Sequence, residues 1–166
     1  MAIRGIREYD GKNLMASNLD KYCDDTVKIN NNYLLVAPET DLANCPKEHS
    51  WLKNTKLVAK PDMLFGKRGK NNLLKLDSTW DEVKAWIEKK RKEEVTISGV
   101  KGKLTHFLVE PFVPHKEEYY VAIRAFRDKD VVYFSEQGGV EVEENWDKVK
   151  EIEIPVMENG KLVKPE

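Results

Sequence analysis

Glu110-Pro111-Phe112-Val113-Pro114 is the stretch whose reading decides how this chain is organised. Each proline fixes φ and biases its predecessor toward extended backbone, and neither proline has an N–H to give to a strand. The stretch therefore reads as a stiff, extended connector, with an α+β region on each side. Upstream, Leu104 to Glu110 is expected as the strand that Pro111 ends. Downstream, Tyr119 to Phe126 places Val121, Ile123 and Ala125 on one face, and Val131 to Ser135 pairs back across an Asp128-Lys129-Asp130 turn.

Working outward, residues Asp10 to Tyr22 read as a helix with Asp10 as its cap, and Tyr33 to Ala37 as a strand ended by Pro38. Thr40-Asp41 opens a short helix, and Lys56 to Lys60 and Leu73 to Leu76 are strands on either side of a basic loop at 64–72. Thr79-x-x-Glu82 is a capping box, followed by Val83, Trp86, Ile87 and Lys90 at helical spacing. Val95 to Ser98 is a strand and Gly99 to Gly102 a loop. Val140 to Val142 and Glu151 to Val156 are strands with a helical turn from Asn145 to Lys150 between them, and Asn159-Gly160 is a turn. The fold class is α+β, divided as a helical segment 1–22, an α+β lobe 23–109 and a second region 110–166.

Composition narrows the function classes. The 166 residues carry 28 basic and 29 acidic side chains, a net charge of −1, which lacks the basic excess of a dedicated nucleic-acid binder. The longest clean apolar run, Tyr33 to Ala37, is far short of the roughly 20 residues that span a bilayer. The charged N-terminus is unlike a signal peptide. Cys23 and Cys45 sit in no metal-ligand spacing and read as free thiols of a reducing compartment. No partnership with nucleic acid or membrane is expected, and the expected location is cytoplasmic.

No phosphate-loop, dinucleotide, zinc-protease or serine-hydrolase motif is present, and His49, His106 and His115 are scattered. The most suggestive feature is the concentration of Lys60, Lys67, Arg68 and Lys70, opposed by Asp62 alone, with Gly66 and Gly69 between them. Glycines let backbone N–H groups approach an anion, and arginine and lysine supply forked and compact charge for phosphate. A solvated surface loop remains open on residue types alone. In the connector, the main chain at Val113 can match an adenine edge, and a carboxylate of Glu117-Glu118 can accept ribose hydroxyls. A plain linker and a surface acidic pair remain open there too.

Taken together, Lys56 to Lys70, Phe107 to His115, Glu117 to Val121 and Phe134 to Val149 resemble the N-terminal ATP-grasp region of the ATP-citrate lyase family, closest to its separate A-type subunit. Arg7-Glu-Tyr-Asp-Gly-Lys12 resembles the start of that subunit and, more distantly, the β subunit of succinyl-CoA synthetase. The resemblance implies an ATP-grasp-like architecture of two lobes with the nucleotide between them, 23–109 being the lid-type lobe and 110–166 the first part of the core lobe. It implies nucleotide contacts at Lys60 (phosphate), Arg68 and Gly69 (basic loop), Pro111 and Val113 (adenine) and Glu118 (ribose).

The family reaction turns citrate, CoA and ATP into acetyl-CoA, oxaloacetate, ADP and phosphate. The family's ATP-grasp region also continues beyond Glu166, so the chain is expected to be truncated before the second half of the core. ATP is the implied cofactor; Mg²⁺ serves the complete enzyme, with no ligand expected in this chain and no catalytic residue either. The implied partners are the rest of the A-type subunit and the CoA-binding, phosphohistidine-carrying B-type subunit, with a sheet edge left exposed where neighbours are missing. Two alternatives stand beside this reading: a succinate–CoA ligase β-like fragment, and a non-catalytic nucleotide-binding or regulatory module.

Overall fold

A computed structural model describes residues 5–24, 26, 28–66, 68–97, 99–139, 146–158 and 161–162. Internal contacts divide the chain into two units, Met1–Val113 and Pro114–Glu166. The expected division lay a few residues earlier, after 109.

The first unit is built on an antiparallel sheet of β1 (Leu34–Val36), β2 (Leu57–Pro61), β3 (Lys75–Ser78) and β6 (Phe107–Pro111), in the order β1-β6-β2-β3. Strand β2 alternates: Leu57, Ala59 and Pro61 are buried, while Val58 and Lys60 are half-buried on the opposite face. Its register sets Ala59 beside Val109, Lys60 beside Leu108 and Val58 beside Glu110. One face of β2 and β6 therefore feeds a core with Val36, Leu52, Leu57, Val83, Ile87, Phe107 and Val109. The other face carries Lys60 and Glu110, with Leu108 fully buried among them.

The capping box forms as expected at the start of α3 (Trp80–Lys90): the Glu82 N–H donates to the Thr79 hydroxyl, and the Thr79 N–H donates to the Glu82 carboxylate. Trp80, Val83 and Ile87 face the core, and Trp86 meets Phe107 edge to face at 5.8 Å.

Four expectations are corrected in this unit. Helix α1 (Glu8–Tyr22) starts before Asp10, with Arg7 as N-cap and no side-chain bond from that residue. The cap comes instead from Asp62, 54 residues away in sequence, whose carboxylate accepts the Glu8 and Tyr9 N–H groups. Residues Thr40-Asp41 lie between turns at 38–39 and 42–44, and α2 (Cys45–Glu48) begins later, with Pro46 in its first turn, where a missing N–H costs nothing. Strand β3 is two residues later than expected because Leu73 is drawn into the core while the Leu73 N–H closes a turn onto the Arg68 carbonyl. The segment expected as a loop contains β5 (Val100–Lys103), which pairs with β4 (Glu94–Ile97), with Gly99 at φ 80° beside the turn.

The second unit holds an antiparallel meander of β7 (Tyr120–Ala125), β8 (Lys129–Ser135) and β9 (Lys150–Pro155). β7 and β9 are its outer strands. A short pair follows, β10 (Met157–Glu158) with β11 (Lys161–Leu162). Residues 146–148 form a single 3-10 turn. Cross-strand partners share a face, so Val121 and Phe134 lie together, as do Ile123, Val132 and Ile152. On the other face Trp146 meets Tyr120 and Tyr133 at 6.2 and 5.6 Å. The strand expected at Val140 to Val142 and the turn at Asn159-Gly160 lie outside the described residues. Among the described residues no helix is long and apolar enough to cross a membrane.

Candidate functional site

The polar face of β2 and β6 carries a network of charges. Lys60, at the end of β2, places its ammonium 2.7 Å from Glu8 Oε1 and 2.7 Å from Glu110 Oε1. Arg68 aims Nη2 at Glu8 Oε2, also 2.7 Å away, while Nη1 donates to the Pro61 carbonyl at 3.0 Å. Lys12, one turn along α1 from Glu8, reaches Glu110 Oε2 at 2.9 Å. Three cations thus meet two carboxylates, and the Lys60 and Glu110 side chains are only 16% and 17% exposed.

Local structure explains the convergence. The pleat of β2 turns Lys60 away from the apolar core. The turn after Gly66, closed by the Asn72 N–H to the Gly69 carbonyl and by Leu73 to Arg68, returns the guanidinium to the end of β2. Asp62 is 1% exposed and fixes the first turn of α1, with bonds of 2.9 and 3.1 Å to the Glu8 and Tyr9 N–H groups. A carboxylate there also meets the positive end of the helix dipole. Asp62 therefore does not oppose the basic loop; it anchors the element that carries Glu8.

Glu8 feels two opposing influences. Burial would raise its pKa, but the charge and hydrogen bond of Lys60, and then those of Arg68, outweigh burial and hold the carboxyl below its ordinary value of 4.5.

Lys60, Arg68 and Gly69 lie within 60–69 of the first unit, and Glu110 ties Lys60 to the end of β6. Pro111 closes β6 opposite Leu57, the Phe112 N–H donates to the Lys56 carbonyl at 2.7 Å, and the exposed Val113 ends the unit. Lys70 is exposed, and Lys67 lies outside the described residues. Glu118 belongs to the second unit, where its carbonyl accepts the Gly138 N–H at 2.7 Å and its Oε1 lies 2.8 Å from His115 Nε2. It lines a cavity of about 430 Å³ with Lys116, Glu117, Tyr119, Glu136, Gln137 and Gly138. A Cβ on Gly139 would lie 2.6 Å from Glu118 Oε2, so glycine there leaves the carboxylate room.

Sequence reasoning found the cations and missed their partners. Glu8 and Lys12 are spaced four apart on a helix, a visible local pair, but nothing nearby in sequence announces Lys60 or Arg68 as partners. Among the described residues no group of three or more His, Cys, Asp or Glu side chains is arranged to hold a metal ion. Cys23 and Cys45 are both free; burial first, and then Glu48, raises the Cys45 thiol.

Comparison with known proteins adds to this geometry. The sequence model of the ATP-citrate synthase ATP-grasp domain matches residues 2–165. ATP-citrate synthase alpha chain protein 2 of Arabidopsis thaliana is 44% identical over 155 residues, covering 93% of this chain and 36% of that protein. The ATP-citrate synthase of Bos taurus is 42% identical over 146 residues, 86% of this chain and 13% of that one. Among solved structures, ATP citrate lyase from Methanothrix soehngenii, in complex with citrate and coenzyme A, superimposes with a TM-score of 0.83 at 49% identity. That match covers 95% of this chain and 36% of that one. The chain spans about a third of the length of the plant and archaeal relatives.

Proposed function

The chain belongs to the ATP-citrate synthase ATP-grasp family, and from that premise we propose that it binds and orients ATP as the nucleotide-binding part of an ATP-dependent citrate-cleaving enzyme. The overall reaction would take citrate, CoA and ATP to acetyl-CoA, oxaloacetate, ADP and phosphate. Lys60, Arg68 and Gly69 take the phosphates, the main chain at Pro111 and Val113 takes adenine, and Glu118 takes the ribose. The observation that carries this reading is the meeting of Lys60 and Arg68 on opposite oxygens of one carboxylate, each at 2.7 Å. Two cations already brought to a single anion are arranged for a phosphate oxyanion. Their contribution to phosphoryl transfer is positioning and charge neutralisation.

Mg²⁺ accompanies ATP in the complete enzyme; among the described residues of this chain no cluster of carboxylates, histidines or thiols is arranged to hold it. The partners are the remainder of the A-type subunit and a B-type subunit that binds CoA and carries the phosphohistidine, and the setting is cytoplasmic. Partner association is supported by the apolar face of the β7-β8-β9 sheet, where Val121, Ile123 and Ile152 are exposed side by side. The test is ADP release in the presence of citrate and CoA. The chain alone should give none, and co-expression with polypeptide matching the rest of the archaeal relative should restore it. A completed assembly that binds ATP yet never releases ADP would favour a non-catalytic module.

A further inference from the structure

The two cations assigned to phosphate are both held by Glu8. Its oxygens divide between them, Oε1 on Lys60 and Oε2 on Arg68, as two oxygens of one phosphate would. A triphosphate oxygen entering while the carboxylate stays would put a third anion on Lys60, which Glu8 and Glu110 already share, and a second on Arg68, all at contact distance. We propose that Glu8 is an affinity-determining residue of the phosphate site, a resident anion that occupies the seat and must swing out before nucleotide phosphate enters. This rests on the phosphate reading of Lys60 and Arg68.

The surrounding structure suits such a role. Asp62 grips the backbone N–H groups of Glu8 and Tyr9, not the Glu8 side chain. The start of α1 is therefore pinned while the carboxylate's close partners, at 2.7 Å, are the two cations that phosphate would claim, Lys12 standing farther off at 4.0 Å. Glu110 differs, because Lys12 holds its second oxygen. It keeps a cation when Lys60 turns to phosphate and can stay where it is. In a chain without nucleotide, Glu8 also keeps Lys60 and Arg68 gathered, sparing two neighbouring cations their mutual repulsion.

The experiment is calorimetric titration of ATP, repeated with inorganic tripolyphosphate, into the full chain, Glu8→Gln, Glu110→Gln and Lys60→Ala. Glu8→Gln keeps the shape and removes the competing charge, so it should bind both ligands about tenfold more tightly, the effect of one charged contact. Glu110→Gln should change affinity less. Amide exchange on the unmodified chain provides a measurement that needs no variant: with ATP bound, the Glu8 and Tyr9 amides should stay protected. Equal or weaker binding by Glu8→Gln, in a chain whose binding is lost in Lys60→Ala, overturns the resident-anion role and leaves the phosphate reading intact. Binding that Lys60→Ala does not affect overturns the phosphate reading itself, and the role with it. Absence of binding by both the parent and Glu8→Gln also overturns the role, since the cleared seat should accept phosphate.

Discussion

The two units place their apolar residues in opposite ways. In the first, Val36, Leu57, Val83, Ile87, Phe107 and Val109 are sealed between a four-stranded sheet and α3, and the polar face of that sheet holds an ordered set of ion pairs. In the second, Val131 is buried, but Val121, Ile123 and Ile152 stand on the surface of a three-stranded sheet. The contrast separates a sheet with a sealed apolar core from a sheet that presents an apolar face. A small meander with its apolar face in water gains little from that face until something covers it.

The sharpest way to break this contrast is to remove an apolar side chain from each unit. Phe107→Ala should cost about 3–5 kcal/mol in denaturant unfolding, through lost transfer energy and a cavity. Ile123→Ala, at a position 71% exposed, should stay within about 0.5 kcal/mol. Equal costs would show that the two sheets bury their side chains alike. Next in size is the long-range cap. Asp62→Ala leaves the Glu8 and Tyr9 N–H groups without their acceptor and should cost about 1–3 kcal/mol, with exchange accelerating in the first turn of α1. Asp62→Asn, which retains an acceptor, should cost less. No change with either would mean that α1 is held by something other than Asp62.

A smaller effect is expected with pH. Glu8 sits below its ordinary value of 4.5, with Lys60, Arg68 and Lys12 as neighbouring cations and Glu110 and Asp62 as neighbouring carboxylates. A carboxyl lowered in the folded state contributes stability that is present above 4.5 and is lost as pH falls through the lower folded value. Between neutral pH and that range the parent should therefore lose more stability than Glu8→Gln, measured by chemical unfolding at each pH. Parallel curves would contradict the pairing.

What was legible in the sequence follows the range of each interaction. The start of α3 was readable because both halves of its cap, Thr79 and Glu82, lie within one turn and the buried Val83 and Ile87 follow at helical spacing. The start of α1 was not, because its cap is Asp62, far along the chain, and Asp10 offered a plausible local substitute. Strand β3 was displaced because Leu73 serves the core rather than the strand. β5 read as a loop because Gly102 and two lysines leave it no apolar alternation; pairing with β4 defines it. At the site, Lys60 and Arg68 were visible as charges among glycines. Their gathering by Glu8 and the tie from Lys60 to Glu110 depend on α1 and β6 meeting β2, which residue spacing does not encode.

The phosphate-binding pair proposed at Lys60 and Arg68 is decided by titration calorimetry with ATP. The parent chain should bind measurably, and each of Lys60→Ala and Arg68→Ala should weaken binding by about 1.5–3 kcal/mol, the loss of one charged hydrogen bond. Affinity unchanged in both variants would contradict it.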